Sequence, residues 1–174
     1  MQDRTPHYLT VLSDYICDAV LEDLPPDVIE RARWLFADTL PLIAAGMQHG
    51  PMRAFAERQL AGDPKGEASV IGLHRKTTAN VAALLNGTAG TFLEMVEENI
   101  YAKGLPAVQI VPAALAMAEQ LSASGRDTLV ALVMGYEACC RISRATVSGS
   151  VRPPAQVVFS SPHAPYKRAA CAKV

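Results

Sequence analysis

The sequence predicts an all-α fold, a compact multi-helix domain, and three observations support this prediction. Half of the 174 residues are apolar and only 6% are aromatic, which suits closely packed helices better than a β-sandwich. Apolar residues recur at helical spacing along most of the chain. One short segment, GEASVIG at residues 66–72, is typical of extended structure. We therefore expect about seven helices and at most one short pair of strands.

The first part of the chain predicts three helices. Residues 7–22 place apolar side chains at helical spacing, and Pro26 can start a second, long helix because proline at the first helical position loses no needed donor. That helix should end near Gly46. Pro41 lies inside it, and since an interior proline removes a backbone hydrogen bond, we expect a kink or a local break there. A short helix is predicted over residues 51–60.

The middle of the chain predicts two short helices separated by an Asn-Gly pair. Thr77 or Thr78 can cap a helix that reaches Asn86 and Gly87, where the pair predicts an end. A second short helix is then expected over residues 88–98.

Two further helices are predicted near the end of the patterned region. Pro112, at a first-turn position, is expected to open a helix over residues 113–121. Ser124 and Asp127 have the spacing of a capping box, with Asp in place of the usual Glu or Gln. They predict the start of a helix over residues 128–145.

The composition changes near residue 147. We expect a helical domain over residues 1–146 and an irregular basic tail, rich in Pro, Ser and Ala, over residues 147–174. No acidic residue follows Glu137, whereas six basic residues do: Arg141, Arg144, Arg152, Lys167, Arg168 and Lys173. Because these charges are sparse and not interleaved with aromatic residues, we expect no binding to nucleic acid or to a membrane surface.

Several classes of protein have no support in the sequence. There is no membrane span, signal peptide, Walker loop or GxGxxG motif, so we expect a cytoplasmic protein without a nucleotide cofactor. The histidines lack metal-ligand spacing, and we expect no metal. The cysteines also lack such spacing and are expected to be buried thiols in a reducing cytosol. They are Cys17, Cys139, Cys140 and Cys171.

The strongest candidate for chemistry is a cluster of three glutamates. Glu94, Glu97 and Glu98 have i, i+3 and i+4 spacing, which places Glu94 on one helix face with the other two. Close carboxylates raise one another's pKa, and this can prepare one of them as a general base or acid. The alternative is a solvated helix face. Lys103 could pair with the cluster across a turn, or it could be a surface lysine.

The order of several motifs carries a family resemblance. They are DTLPLIAAG at 38–46, GEASVIG at 66–72, ANVAALLNGTAGTFLEM at 79–95, GLP at 104–106, VPAALAMAE at 111–119 and SGRDTLVALVMGYEACCRI at 124–142. Over about residues 5–146 the chain resembles the N-terminal helical part of the MmgE/PrpD family. That family includes 2-methylcitrate dehydratase, cis-aconitate decarboxylase and iminodisuccinate epimerase.

The resemblance implies a cofactor-free lyase that acts on small di- and tricarboxylates by removing a proton beside a carboxylate. It also implies a homodimer in which each chain adds an α+β lid domain, with the site between the domains. On this basis the candidate catalytic residues are Glu97 and Lys103, and the candidate substrate-binding residues are Glu94, Asn99 and Tyr101.

The sequence also departs from the family pattern. Val96 stands where a sub-branch has Asp, Leu105 stands where the family has His before Pro, and Gln109 stands where that sub-branch often has a second His. The lid domain does not follow, so we expect a truncated or frame-altered relative whose activity is weakened or lost. The alternatives are a non-catalytic helical module for dimerisation or partner binding, and a small-molecule binder that uses the same cleft.

Overall fold

The computed structural model describes residues 7–62 and 65–147, which form a mostly helical domain. Six α-helices, one short 3-10 turn at Leu21–Asp23 and one two-stranded sheet lie within these residues. The helices are α1 His7–Asp18, α2 Pro26–Met47, α3 Gly50–Leu60, α4 Ala79–Thr91, α5 Pro106–Leu121 and α6 Gly125–Val147, and the strands are β1 Ala68–Val70 and β2 Arg75–Thr77. The predicted all-α fold and single strand pair are confirmed.

Helix α4 lies in the centre of the helical packing, against α2 on one side and α5 on the other. The contacts are close because two glycines remove side chains where the helices cross. A Cβ atom on Gly46 of α2 would lie 1.9 Å from the carbonyl oxygen of Ala89, and one on Gly90 of α4 would lie 2.6 Å from a methyl group of Val108. Helix α6 packs on α5, and α1 covers α6.

Two polar side chains, the buried Asn86 and the half-buried Glu119, attach the hairpin of β1 and β2 to the helices. Asn86 of α4 accepts a hydrogen bond from the Ile71 N–H and donates one to the Ser69 carbonyl, each 2.9 Å long. Glu119 of α5 accepts hydrogen bonds from the backbone N–H and the hydroxyl of Ser69, at 2.5 and 2.7 Å. Both side chains lie in motifs of the family pattern, and both hold β1 in place.

The helix predicted over residues 88–98 is wrong. Helix α4 continues through Asn86 and Gly87 to Thr91, and the residues after it form turns. The Asn-Gly pair does not end the helix because the Asn86 amide bonds to the distant hairpin and not to its own backbone. The predicted count of about seven helices is therefore too high for the described residues, which contain six α-helices.

Two prolines lie inside helices. Helix α5 begins at Pro106 and not after Pro112, so the predicted start is wrong by about two turns. The Val108 carbonyl, which Pro112 leaves without its usual donor, lies where α5 meets Gly87. Helix α2 runs through Pro41 without the local break that was one of the two expectations. Pro41 is exposed, which leaves solvent access to the backbone group that it frees.

The start of α6 confirms the predicted cap. The Ser124 hydroxyl accepts a hydrogen bond from the Asp127 N–H at 3.2 Å and donates one to the Asp127 carboxylate at 2.8 Å. The helix then begins at Gly125, three residues earlier than the pattern predicted, and extends to Val147. The tail predicted after that residue lies outside the described residues, so its character stays a prediction.

Three of the cysteines lie in the described part of the chain, and none of these three forms a disulfide. Cys139 is buried as expected, whereas Cys17 and Cys140 are only half-buried; Cys171 lies outside the described residues. Burial raises the pKa of Cys140 to about 12, with a smaller contribution from Cys139 beside it.

Within residues 7–62 and 65–147, no helix is long and apolar enough to cross a membrane. The same residues bring no three His, Cys, Asp or Glu side chains together as ligands for a metal ion.

Candidate functional site

The three glutamates lie in the connection between α4 and α5, residues 92–105, which we call the acidic loop. It contains turns and one isolated bridge, in which the backbones of Asn99 and Gly104 exchange hydrogen bonds of 2.9 and 3.4 Å. The bridge makes a tip of the four residues between them. Because the loop is not helical, the predicted sharing of one helix face by the three carboxylates is wrong.

Glu97 is half-buried, and hydrogen bonds hold both of its carboxylate oxygens. Its Oε1 accepts a hydrogen bond of 2.5 Å from the Tyr136 hydroxyl, and its Oε2 accepts one of 3.3 Å from the Ala107 N–H. The donors come from α6 and from the first turn of α5, where backbone N–H groups lack helical partners. Glu97 therefore has a fixed orientation at the junction of two helices and the acidic loop.

Asn99 joins the same network. Its Nδ2 donates a hydrogen bond of 2.9 Å to the Tyr136 oxygen, and its Oδ1 accepts one of 2.9 Å from the Ala102 N–H. Burial raises the pKa of Tyr136 well above its ordinary value, and the hydrogen bond to Glu97 raises it further. At neutral pH the phenol therefore stays protonated, and its hydroxyl donates a hydrogen bond to Glu97.

The other two glutamates, Glu94 and Glu98, are exposed. Glu94 has a φ of 53°, and Lys103 at the tip has a φ of 51°. Such left-handed backbone is costly for residues other than glycine, and it clusters at functional sites in proteins. Lys103 is exposed and forms no ion pair within the described residues, so it corresponds to the surface lysine of the two alternatives.

Two other residues of the tip, Ile100 and Tyr101, are large and exposed, whereas Ala102 is buried. The side chains of Ile100 and Tyr101 are 83% and 78% exposed, and Met95 earlier in the loop is 68% exposed. Of the five candidate residues, the structure thus brings Glu97 and Asn99 together through Tyr136. It leaves Glu94, Tyr101 and Lys103 at the loop surface.

Two of the positions that depart from the expected family pattern lie in the acidic loop, and the third, Gln109, lies on α5. Val96 and Leu105, which replace the expected Asp and His, are both half-buried. Gln109, where a second His was expected, has a buried side-chain oxygen without a hydrogen-bond partner. The acidic loop therefore has apolar side chains at the two positions where the resemblance led us to expect groups that carry protons.

Sequence reasoning missed Tyr136 as part of the site. Its spacing with Leu129 and Leu132 placed it on an apolar face of α6. The motif GYE at residues 135–137 was the only available signal, and it pointed to the family and not to a contact with Glu97, 39 residues earlier in the chain.

An open groove of about 430 Å³ lies elsewhere in the described part of the chain, between α2, α5 and α6. Its walls are mostly apolar and include Phe36, Leu115 and Leu129. Glu119 also reaches it, but both of that side chain's oxygens are bonded to Ser69. No residue of the acidic loop lines this groove.

A comparison with known families matches residues 10–172 to the MmgE/PrpD N-terminal domain. The chain belongs to the MmgE/PrpD family. Curated relatives of this MmgE/PrpD domain include a cis-aconitate decarboxylase-like protein of Aspergillus oryzae, which is 33% identical over 156 residues. They also include a cis-aconitate decarboxylase of Aspergillus terreus, which is 28% identical over 132 residues.

These alignments cover 82% and 71% of this MmgE/PrpD chain, but only 32% and 26% of the two relatives. The chain therefore spans about a third or less of the length of the curated relatives that it matches. The family match also extends past residue 146, where the sequence predicted a boundary, and that boundary stays a prediction.

Proposed function

We propose that this chain supplies the helical-domain part of a lyase site for a small polycarboxylate. Cis-aconitate is the first candidate substrate because two relatives are named for its decarboxylation, and 2-methylcitrate is the second. The observation that carries the proposal is Glu97, a half-buried carboxylate held at both oxygens in the acidic loop. A group that transfers a proton in a reaction needs such a fixed orientation.

The chemistry requires a proton donor or acceptor at a carbon next to a carboxylate. In decarboxylation of cis-aconitate, the bond from carbon to one carboxylate breaks, CO₂ leaves, and the electron pair stays on the carbon. A proton then adds to that carbon, which gives an unsaturated dicarboxylate. Glu97 is the candidate for handling this proton: a free lone pair on one of its oxygens first takes up a proton from the solvent, and the resulting carboxylic acid then delivers that proton to the carbon. Lys103, the only cation of the acidic loop, is the candidate for binding a substrate carboxylate.

We assign supporting roles to the other three candidate residues. Asn99 uses both ends of its amide, one on Tyr136 of α6 and one on Ala102 of the loop, so we assign it to shaping the site. Glu94 and Tyr101 are exposed at the loop surface and are available to contact a substrate. Because the loop carries three carboxylates and one cation, it does not by itself balance the charge of a polycarboxylate.

We further propose that the chain turns over slowly. Val96 and Leu105 are apolar, and loss of a positioned acid or base commonly costs about 100- to 10,000-fold in rate. The site is also open on the side of Ile100 and Tyr101, so water is not excluded there.

The direct test is incubation of the purified chain with cis-aconitate, 2-methylcitrate and citrate, with products followed by NMR. We expect slow formation of CO₂ and the unsaturated dicarboxylate from cis-aconitate. Glu97→Gln should lower this rate by about 100-fold or more. Glu57→Gln, an exposed change on α3, is the matched control and should leave it unchanged. Absence of turnover on all three compounds would count against the proposal.

A second candidate function is a non-catalytic helical module that forms a homodimer or binds a partner protein. The exposed apolar side chains of Met95, Ile100 and Tyr101, on a loop with internal hydrogen bonds, favour it. This function predicts a dimer by light scattering at tens of micromolar together with no turnover. A monomer at that concentration would contradict the dimer.

A further inference from the structure

Tyr136 connects two parts of the site, α6 and the acidic loop, through one hydroxyl group. It lies in the middle of α6 and is half-buried. Its hydroxyl accepts a hydrogen bond from Asn99 and donates one to Glu97. Neither of these residues lies on α6, so this single group joins the helix to the acidic loop.

We propose that Tyr136 is the positioning residue of this site: it orients the Glu97 carboxylate and fixes the tip of the acidic loop to α6. The effect on catalysis rests on the proposed function, whereas the anchoring of the loop does not. Tyr136 touches Glu97 and Asn99 and is not assigned to contact a substrate.

The geometry favours an anchor over a proton acceptor. The hydroxyl lies 2.5 Å from Glu97 Oε1, a distance typical of a strong hydrogen bond to a carboxylate. The charged and titratable groups that act on it are Glu97 from the loop and Cys140 on its own helix. Burial and Glu97 both keep the phenol protonated, so at neutral pH it is a donor. A rigid aromatic side chain also holds its hydroxyl with little conformational freedom.

Removal of this hydroxyl should affect two contacts at once. Glu97 would keep only the Ala107 N–H as a donor, at 3.3 Å, and could rotate away from its present orientation. The Nδ2 of Asn99 would lose its acceptor. The hydrogen bond from the Ala102 N–H to Asn99 Oδ1 would then break more often.

The first test is amide hydrogen exchange in Tyr136→Phe, which removes the hydroxyl and keeps the ring. We expect exchange at Ala102, Gly104 and Ala107 to become about tenfold faster, which corresponds to the loss of about one hydrogen bond. Tyr8→Phe is the matched control because Tyr8 lies on α1 and is 69% exposed. The exchange pattern of this variant should equal that of the wild type. Unchanged exchange in Tyr136→Phe, or the same change in the control, would overturn the proposal.

The second test is the ultraviolet titration of the five tyrosines in the folded wild type, with Tyr136→Phe used only to assign the late step. We expect one phenol to ionise well above the ordinary value of about 10, and this late step to be missing from Tyr136→Phe. The native state then binds more protons than the unfolded state above pH 10, so the stability from this group is complete below that pH and is lost as the pH rises. Titration of all phenols together near pH 10 would contradict the contact.

The third test uses the lyase reaction. With cis-aconitate, Tyr136→Phe should lower kcat by about tenfold or more and leave KM nearly unchanged, because the residue orients Glu97 and does not bind substrate. A rise in KM alone would overturn the positioning role. If the wild type has no turnover, the proposed function fails, and the exchange and titration results still decide whether Tyr136 anchors the loop.

Discussion

Replacement of Gly46 by alanine is expected to lower the free energy of unfolding by about 3 kcal/mol. The new Cβ atom would lie 1.9 Å from the carbonyl oxygen of Ala89, far inside contact distance. The obstacle is backbone of α4 and not the end of a flexible side chain, so α2 and α4 would have to move apart. That movement would also loosen the contact of Ile43 with α4, which is part of the same buried cluster.

Urea unfolding followed by circular dichroism measures this change. Gly50→Ala is the matched control because a Cβ atom at Gly50 meets nothing within 4 Å. The control should stay within about 0.5 kcal/mol of the wild type, as is usual for surface substitutions. Equal stability of the two variants would show that α2 and α4 do not cross as closely as described.

Replacement of Asn86 by alanine is expected to cost about 3 kcal/mol. The side chain is 1% exposed, and its amide satisfies the Ile71 N–H and the Ser69 carbonyl. Alanine would leave both backbone groups without these partners, and a buried polar group without a partner costs about 1–3 kcal/mol. Of the two side chains that bond to β1, only Glu119 would then remain in place.

The measurement is again urea unfolding, combined with amide exchange at Ile71, which should become faster. Asn80→Ala on the same helix is the control because Asn80 is exposed. It should change the free energy of unfolding by no more than about 0.5 kcal/mol. A similar loss in both variants would show that the amide of Asn86 contributes no more than a surface asparagine.

The sequence predicted the helical fold well because the spacing of apolar residues is a local signal. The wrong boundaries occur where a distant contact overrides a local one. Asn86 and Gly87 predict a helix end, but the Asn86 amide bonds to β1 and Gly87 allows α5 to approach, so α4 continues. Pro112 predicts a helix start, but Pro106 already occupies the first turn of α5.

The candidate site was predictable only in part, for a similar reason. The presence of carboxylates at Glu94, Glu97 and Glu98 is a property of the sequence, and their clustering selects the acidic loop as the candidate site. Their environments differ because Glu97 meets Tyr136 across 39 residues of chain, whereas the other two point to the surface. A periodicity within the loop contains no information about a partner on α6.

A titration with cis-aconitate, followed by proton–nitrogen correlation spectra of the full chain, tests most directly whether the acidic loop receives a polycarboxylate. We expect saturable shifts at the amides of Asn99, Ala102, Lys103 and Gly104, and these shifts should weaken in Lys103→Ala. Shifts centred on the groove beside Leu129, or no saturable shifts, would contradict the assignment of the site to the acidic loop.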